Sequence, residues 1–155
     1  MNVVVDANIV FSGILNTNGK IADLLINSYG LFGFIAPDFL RAEIRKHQTK
    51  LAELSGLSPD QIVESEFQIC KDIGFISEEQ VSPENWTSAF ELVKDIDPKD
   101  LPYVALSMQF GYKIWSGDKV LIRGLEKKGF KDILTTQNLF NLRKEIKIRK
   151  KGQPK

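Results

Sequence analysis

The sequence predicts an α/β fold in three layers, α/β/α, with a central parallel sheet of about five strands. Two observations predict it. Short apolar runs at 2–5, 31–36, 113–116 and 132–135 read as buried strands, and the longer segments between them carry apolar residues at helical spacing. Four acidic residues, Asp6, Glu43, Asp100 and Asp118, stand where an apolar segment ends or a helix begins. Open α/β sheets place their ligands beyond the carboxyl ends of the strands, which is where such residues would lie.

Taken in order, Val3-Val4-Val5 is a β-branched run too short for a helix, and Asp6 follows it directly. Ile14, Ile21, Leu24 and Leu25 then give a helical apolar stripe, with Gly30 near its end. Pro37-Asp38 ends the second strand, and Asp38 is a candidate N-cap for a helix running to about Leu54 with Leu40, Ile44 and Leu51 inward. Ser58-Pro59 opens a further helix with Ile62, Val63, Phe67 and Cys70 on one side. A short edge strand is expected around Phe75-Ile76, then a helix from Ser82-Pro83 through Phe90 and Val93. After Asp97-Pro98-Lys99-Asp100, the residues Leu101, Val104, Ala105 and Met108 form the next stripe, stopped by Gly111. Lys113–Ser116 reads as a strand with Gly117-Asp118 as its exit, and Leu121, Ile122 and Leu125 as the inner face of the helix that follows. A last strand and a helix from Thr136 to about Glu145 complete one domain, residues 1–146, leaving 147–155 as a flexible basic tail.

The bulk composition narrows the chemistry. A chain that is 43% hydrophobic and 26% charged, without an 18-residue apolar stretch or a signal peptide, is expected to be cytoplasmic and to engage no membrane. One cysteine, Cys70, and one histidine, His47, leave no basis for a thiolate or imidazole zinc site, so a metal here should be a hard cation on oxygen ligands, Mg²⁺ or Mn²⁺. The net charge of +1 divides into +6 over residues 143–155 and −5 over the rest. Lys147, Arg149, Lys150, Lys151 and Lys155 suit a phosphate backbone, and equally a solvated terminus.

Each carboxylate has a plainer reading. Asp6 can be a polar strand stop, although Asn8 two residues on is placed to orient a neighbouring carboxylate. Glu43 falls between core-facing Leu40 and Ile44, at the edge of a buried face, where many glutamates are simply solvated. Asp97, Pro98 and Asp100 suit N-cap, first and third helical positions, so capping accounts for both aspartates as well as a metal site does. Asp118 can likewise cap the helix after it, and Ser116 is spaced from it as Asn8 is from Asp6. Were the four to converge, they would require a cation or shared protons.

Val3-Val4-Val5-Asp6-Ala7-Asn8, Glu43 after Pro37-Asp38, the segment Asp97 to Leu106, and Ile114-Trp115-Ser116-Gly117-Asp118, in that order, resemble the PIN-domain nucleases over nearly the whole chain. The resemblance implies that Asp6, Glu43, Asp100 and Asp118 are catalytic acids holding Mg²⁺ or Mn²⁺, with Asn8 and Ser116 in support and Asp97 as the cap or a substitute ligand. It implies metal-dependent cleavage of RNA, in a family with many toxins neutralised by an antitoxin partner. The chain is longer than a minimal toxin of that kind, around residues 54–82 and in the basic tail. Arg41, Lys46, Lys119 and the tail are candidates to grip RNA phosphates, and Phe32, Phe34, Trp86 and Phe110 are candidates for a homodimer face. The alternative is a catalytically silent RNA-binding or assembly module in which the acids are caps. A haloacid-dehalogenase or receiver-type site ranks below both, since the former needs an aspartate where Asn8 stands, and there is no Walker or dinucleotide glycine loop.

Overall fold

A computed structural model describes residues 1–152. Five parallel strands form one sheet in the order β3-β2-β1-β4-β5: β1 (Asn2–Val5), β2 (Gly33–Pro37), β3 (Ile73–Ile76), β4 (Lys113–Trp115) and β5 (Ile133–Leu134). The register pairs Val4 with Ile35 on one side and with Ile114 on the other, so β1 is central. Its three valines are fully buried, as the unbroken β-branched run requires of a strand covered on both faces.

Helices cover both faces. On one side α1 (Ala7–Leu15), α2 (Lys20–Asn27), α4 (Gln48–Ser55) and α5 (Pro59–Cys70) pack together, with α9 (Thr136–Lys151) against α2. On the other, α6 (Pro83–Val93) packs on α7 (Leu101–Phe110) and α8 (Lys119–Lys127), and α7 lies against β1, β2 and β4. The chain leaves β1 toward β2 on one side while β4 flanks it on the other, so the topological switch point is the crevice between β1 and β4. The expected three-layer α/β/α fold is therefore the one observed.

Several local expectations change. The helix expected from Asp38 to about Leu54 is two, α3 (Phe39–Lys46) and α4, broken at His47, whose φ of −104° and ψ of 10° leave the helical region. Asp38 makes no side-chain cap; Glu78, from the turn after β3, accepts the Phe39 N–H at 2.7 Å and caps α3 from 39 residues away. Of the stripe expected on this helix Ile62 is buried, but Val63 and Phe67 are 54% and 63% exposed, because α5 turns Ile69 to the core in their place. Cys70 is half-buried, and burial pushes its thiol pKa up to about 12, so it is neither nucleophile nor soft ligand at neutral pH.

The last helix does not stop near Glu145 but runs to Lys151, so Lys147, Arg149, Lys150 and Lys151 are helical; the expectation for Lys155 lies outside the described residues. Arg143 secures α9 to α2: its guanidinium donates to Asp23 Oδ2 at 2.7 Å and to Ser28 Oγ at 3.3 Å, and this partner holds the Asp23 carboxyl below its usual pKa. Of the four aromatics considered for a dimer face, Phe32 and Phe34 are buried and Trp86 and Phe110 pack partly against the core, so Phe32 and Phe34 offer no such surface. Among the described residues no helix is long and apolar enough to cross a membrane.

Candidate active site

The switch-point crevice is built around Asp6. Where β1 ends, its carboxylate turns back as N-cap of α1, Oδ1 accepting the Ala7 N–H at 2.8 Å. Its other oxygen accepts a hydrogen bond from Ser116 Oγ at 2.7 Å, across 110 residues of sequence. The Asp6 N–H donates to the Trp115 carbonyl at 3.0 Å, so the β1–β4 ladder itself fixes this pairing. Ser116 is fully buried and also accepts the Asp118 N–H at 3.1 Å, which ties the strand-exit segment of β4 to that of β1. Asn8, on the first turn of α1, reaches the same loop: a Cβ at Gly117 would stand 3.9 Å from Asn8 Nδ2.

The two aspartates of the third motif separate. Asp97 is exposed and caps the short 3₁₀ turn Pro98–Asp100, accepting the Lys99 N–H at 3.0 Å. Asp100 is buried at the start of α7, and its Oδ2 has no hydrogen-bond partner. Asp118 caps α8, Oδ1 accepting from Val120 N at 3.0 Å and Leu121 N at 3.2 Å. Glu43 lies one turn into α3, with Oε2 3.5 Å from His47 Nε2.

Burial dominates the electrostatics. It raises the Asp6 carboxyl above the usual carboxylate range against the pull of Ser116 and Ala7, and raises Asp100 to about 7, helped by the charges of Asp6, Asp97 and Asp118. These carboxylates act on one another through space, yet among the described residues no three His, Cys, Asp or Glu side chains close into a ready-made cage. Asp6 and Asp100 are thus the two buried acids of the crevice, and they do not form a closed ligand set. Asp118 enters through its charge on both aspartates, and Glu43 through its charge on Tyr103. A divalent hard cation fits this donor set: an orphaned buried carboxylate oxygen beside a second buried carboxylate calls for positive charge, and every donor is an oxygen.

Residues 4–141 match the PIN domain family. The chain belongs to that family. PIN-domain proteins are generally nucleases and generally use divalent metals, which agrees with the oxygen donor set described above. The fold is also similar to that of one chain in the crystal structure of VapBC2 from Rickettsia felis bound to a DNA fragment from their promoter. That match has 12% identity and a TM-score of 0.61, and covers 87% of this chain and 97% of that one. No curated protein matches the chain.

In this PIN domain, sequence reasoning passed over two side chains at the site. Tyr103 follows Asp100 by three residues on α7 and so shares its face, a spacing that could have flagged it. Glu78 gave no local signal, because its link to α3 is purely tertiary. Of the candidate phosphate grips, Arg41 is engaged elsewhere, its guanidinium 3.8 Å over the Phe75 ring, whereas Lys119 is exposed beside Asp118.

The raised acids set a pH dependence. A carboxyl with a folded pKa near 7 and an ordinary value when unfolded favours folding while protonated; that contribution is complete below about pH 4 and is lost as pH rises to about 7. Without divalent metal, thermal unfolding at pH 5 and pH 8 is expected to show wild type losing on the order of 2 kcal/mol over that range. Asp100→Asn should lose clearly less, and equal losses in both proteins would show that Asp100 is not the group responsible.

Proposed function

We propose that this PIN domain is a Mg²⁺- or Mn²⁺-dependent endoribonuclease whose site is Asp6, Glu43, Asp100 and Asp118. The observation that carries this reading is the buried Asp100 oxygen without a partner, beside buried Asp6 at the switch point. Capping accounts for Asp97 and Asp118, but it leaves the burial of Asp100 unexplained, which disfavours a catalytically silent module.

In this reading Asp6 and Asp100 are the inner ligands, and Asp118 and Glu43 complete the negative field that holds the ion. A bound divalent cation would lower the pKa of a water and stabilise charge building on the phosphoryl group. Ser116 holds one Asp6 oxygen by donating to it and, through the Asp118 N–H, holds the loop carrying Asp118, so the two acids keep a fixed relation. Asn8 is placed to orient the groups beside it. No histidine is needed as base; His47 pairs with Glu43. Lys119, beside Asp118, supplies positive charge for a phosphate backbone, so binding should read backbone more than sequence.

The fold likeness to a chain of VapBC2 supports a role as the nuclease half of a toxin–antitoxin pair, with an antitoxin protein as partner. The exposed apolar pair Val63 and Phe67 on α5 gives such a partner a surface to cover.

The deciding experiment incubates purified protein with structured and single-stranded RNAs, and with DNA of the same sequences, in Mg²⁺, Mn²⁺ or EDTA. RNA cleavage that needs metal is the expected result. RNA binding without cleavage in any metal would make the silent module the correct reading.

A further inference from the structure

Tyr103 is among the least exposed large side chains of the protein, 1% accessible, yet its hydroxyl has no hydrogen-bond partner. Leaving such a group unpaired is destabilising, and phenylalanine would fill the same space without that penalty. What surrounds the hydroxyl is informative. The carboxylates that act on it are Asp6, Glu43, Asp100 and Glu78, three of them in the proposed site and the fourth fixed by its hydrogen bond to Phe39 N. Ionised carboxylates only accept, so a phenol placed near them is suited to donate its proton in a hydrogen bond.

We propose that Tyr103 is a positioning residue of the acidic site, whose O–H donates to a carboxylate oxygen or to a water of the cation's hydration shell and so orients the groups that hold the ion. This rests on the reading of Asp6 and Asp100 as cation ligands. Tyr103 takes no part in bond making. It rises from the first turn of α7, the helix that also presents Asp100, so a fixed phenol and a fixed carboxylate share one rigid support.

The test is Tyr103→Phe, with Mn²⁺ affinity measured by titration calorimetry and metal-free stability by thermal unfolding, beside wild type and Asp6→Asn. A purely structural tyrosine and a positioning one differ in these readouts. The expected result is a metal-free melting temperature equal to or above that of wild type, because the orphaned hydroxyl is gone, together with Mn²⁺ binding weaker by about 10-fold or more. Mn²⁺ affinity within twofold of wild type would overturn the role of Tyr103 while leaving the site reading intact. Wild type that binds Mn²⁺ no better than Asp6→Asn would overturn both.

Discussion

Asp6→Asn is expected to reduce metal-dependent RNA cleavage by roughly 10³-fold while leaving the fold intact. The substitution is nearly isosteric. The asparagine carbonyl can still accept the Ala7 N–H that caps α1, and its amide can donate to Ser116 Oγ, whose hydroxyl can turn to accept. What disappears is a buried negative charge that folding alone disfavours, since burial raises the Asp6 pKa. The metal-free variant should therefore melt no lower than wild type, and Mn²⁺ should raise the melting temperature of wild type but not of the variant. Steady-state cleavage and metal-dependent melting curves check this. Undiminished cleavage by Asp6→Asn would remove Asp6 from the chemistry and the proposed site with it.

The second large effect lies directly beneath that site. Trp115 is fully buried on β4, its ring centroid 5.6 Å from that of Phe34, and its indole N–H donates to Thr136 Oγ1 at 3.1 Å. Trp115→Ala should destabilise the protein by about 3–5 kcal/mol, because no neighbouring element of a close-packed three-layer core can collapse into the space. For a domain of this size that is a fall of roughly 10 °C or more in melting temperature. Trp115→Phe, which keeps the ring packing and loses the indole donor, should lose much less. Denaturant unfolding measures both, and a loss below about 1 kcal/mol for the alanine variant would mean that this part of the core is far more plastic than its packing implies.

The layers and the sheet were legible in the sequence because each strand exit coincides with a change of pattern. Val3-Val4-Val5 followed by Asp6, and Ile114-Trp115-Ser116 followed by Gly117-Asp118, mark both the strands and the crevice between them. The split of the Asp38–Leu54 helix was not legible, because the apolar positions Leu40, Ile44 and Leu51 keep helical spacing across the break at His47. Nor was the capping of α3 by Glu78, since a contact 39 residues long leaves no local trace. At the site, spacing alone could not divide Asp97 from Asp100; burial does, with Asp97 exposed at a turn and Asp100 enclosed. Tyr103 was overlooked because a tyrosine on an apolar helical face reads as core, which by packing it is.

The bond from Ser116 to Asp6 joins the first strand of the chain to the fourth, 110 residues later. During synthesis β1 emerges before β4, and Asp6 acquires its partner only when β4 has docked along the free edge of β1. A growing chain that has not reached Asp118 therefore lacks the acidic crevice altogether, and any activity dependent on it must wait for β4 and its exit segment. In the proposed nuclease, that order of assembly keeps the site from forming until β4 has been made and docked.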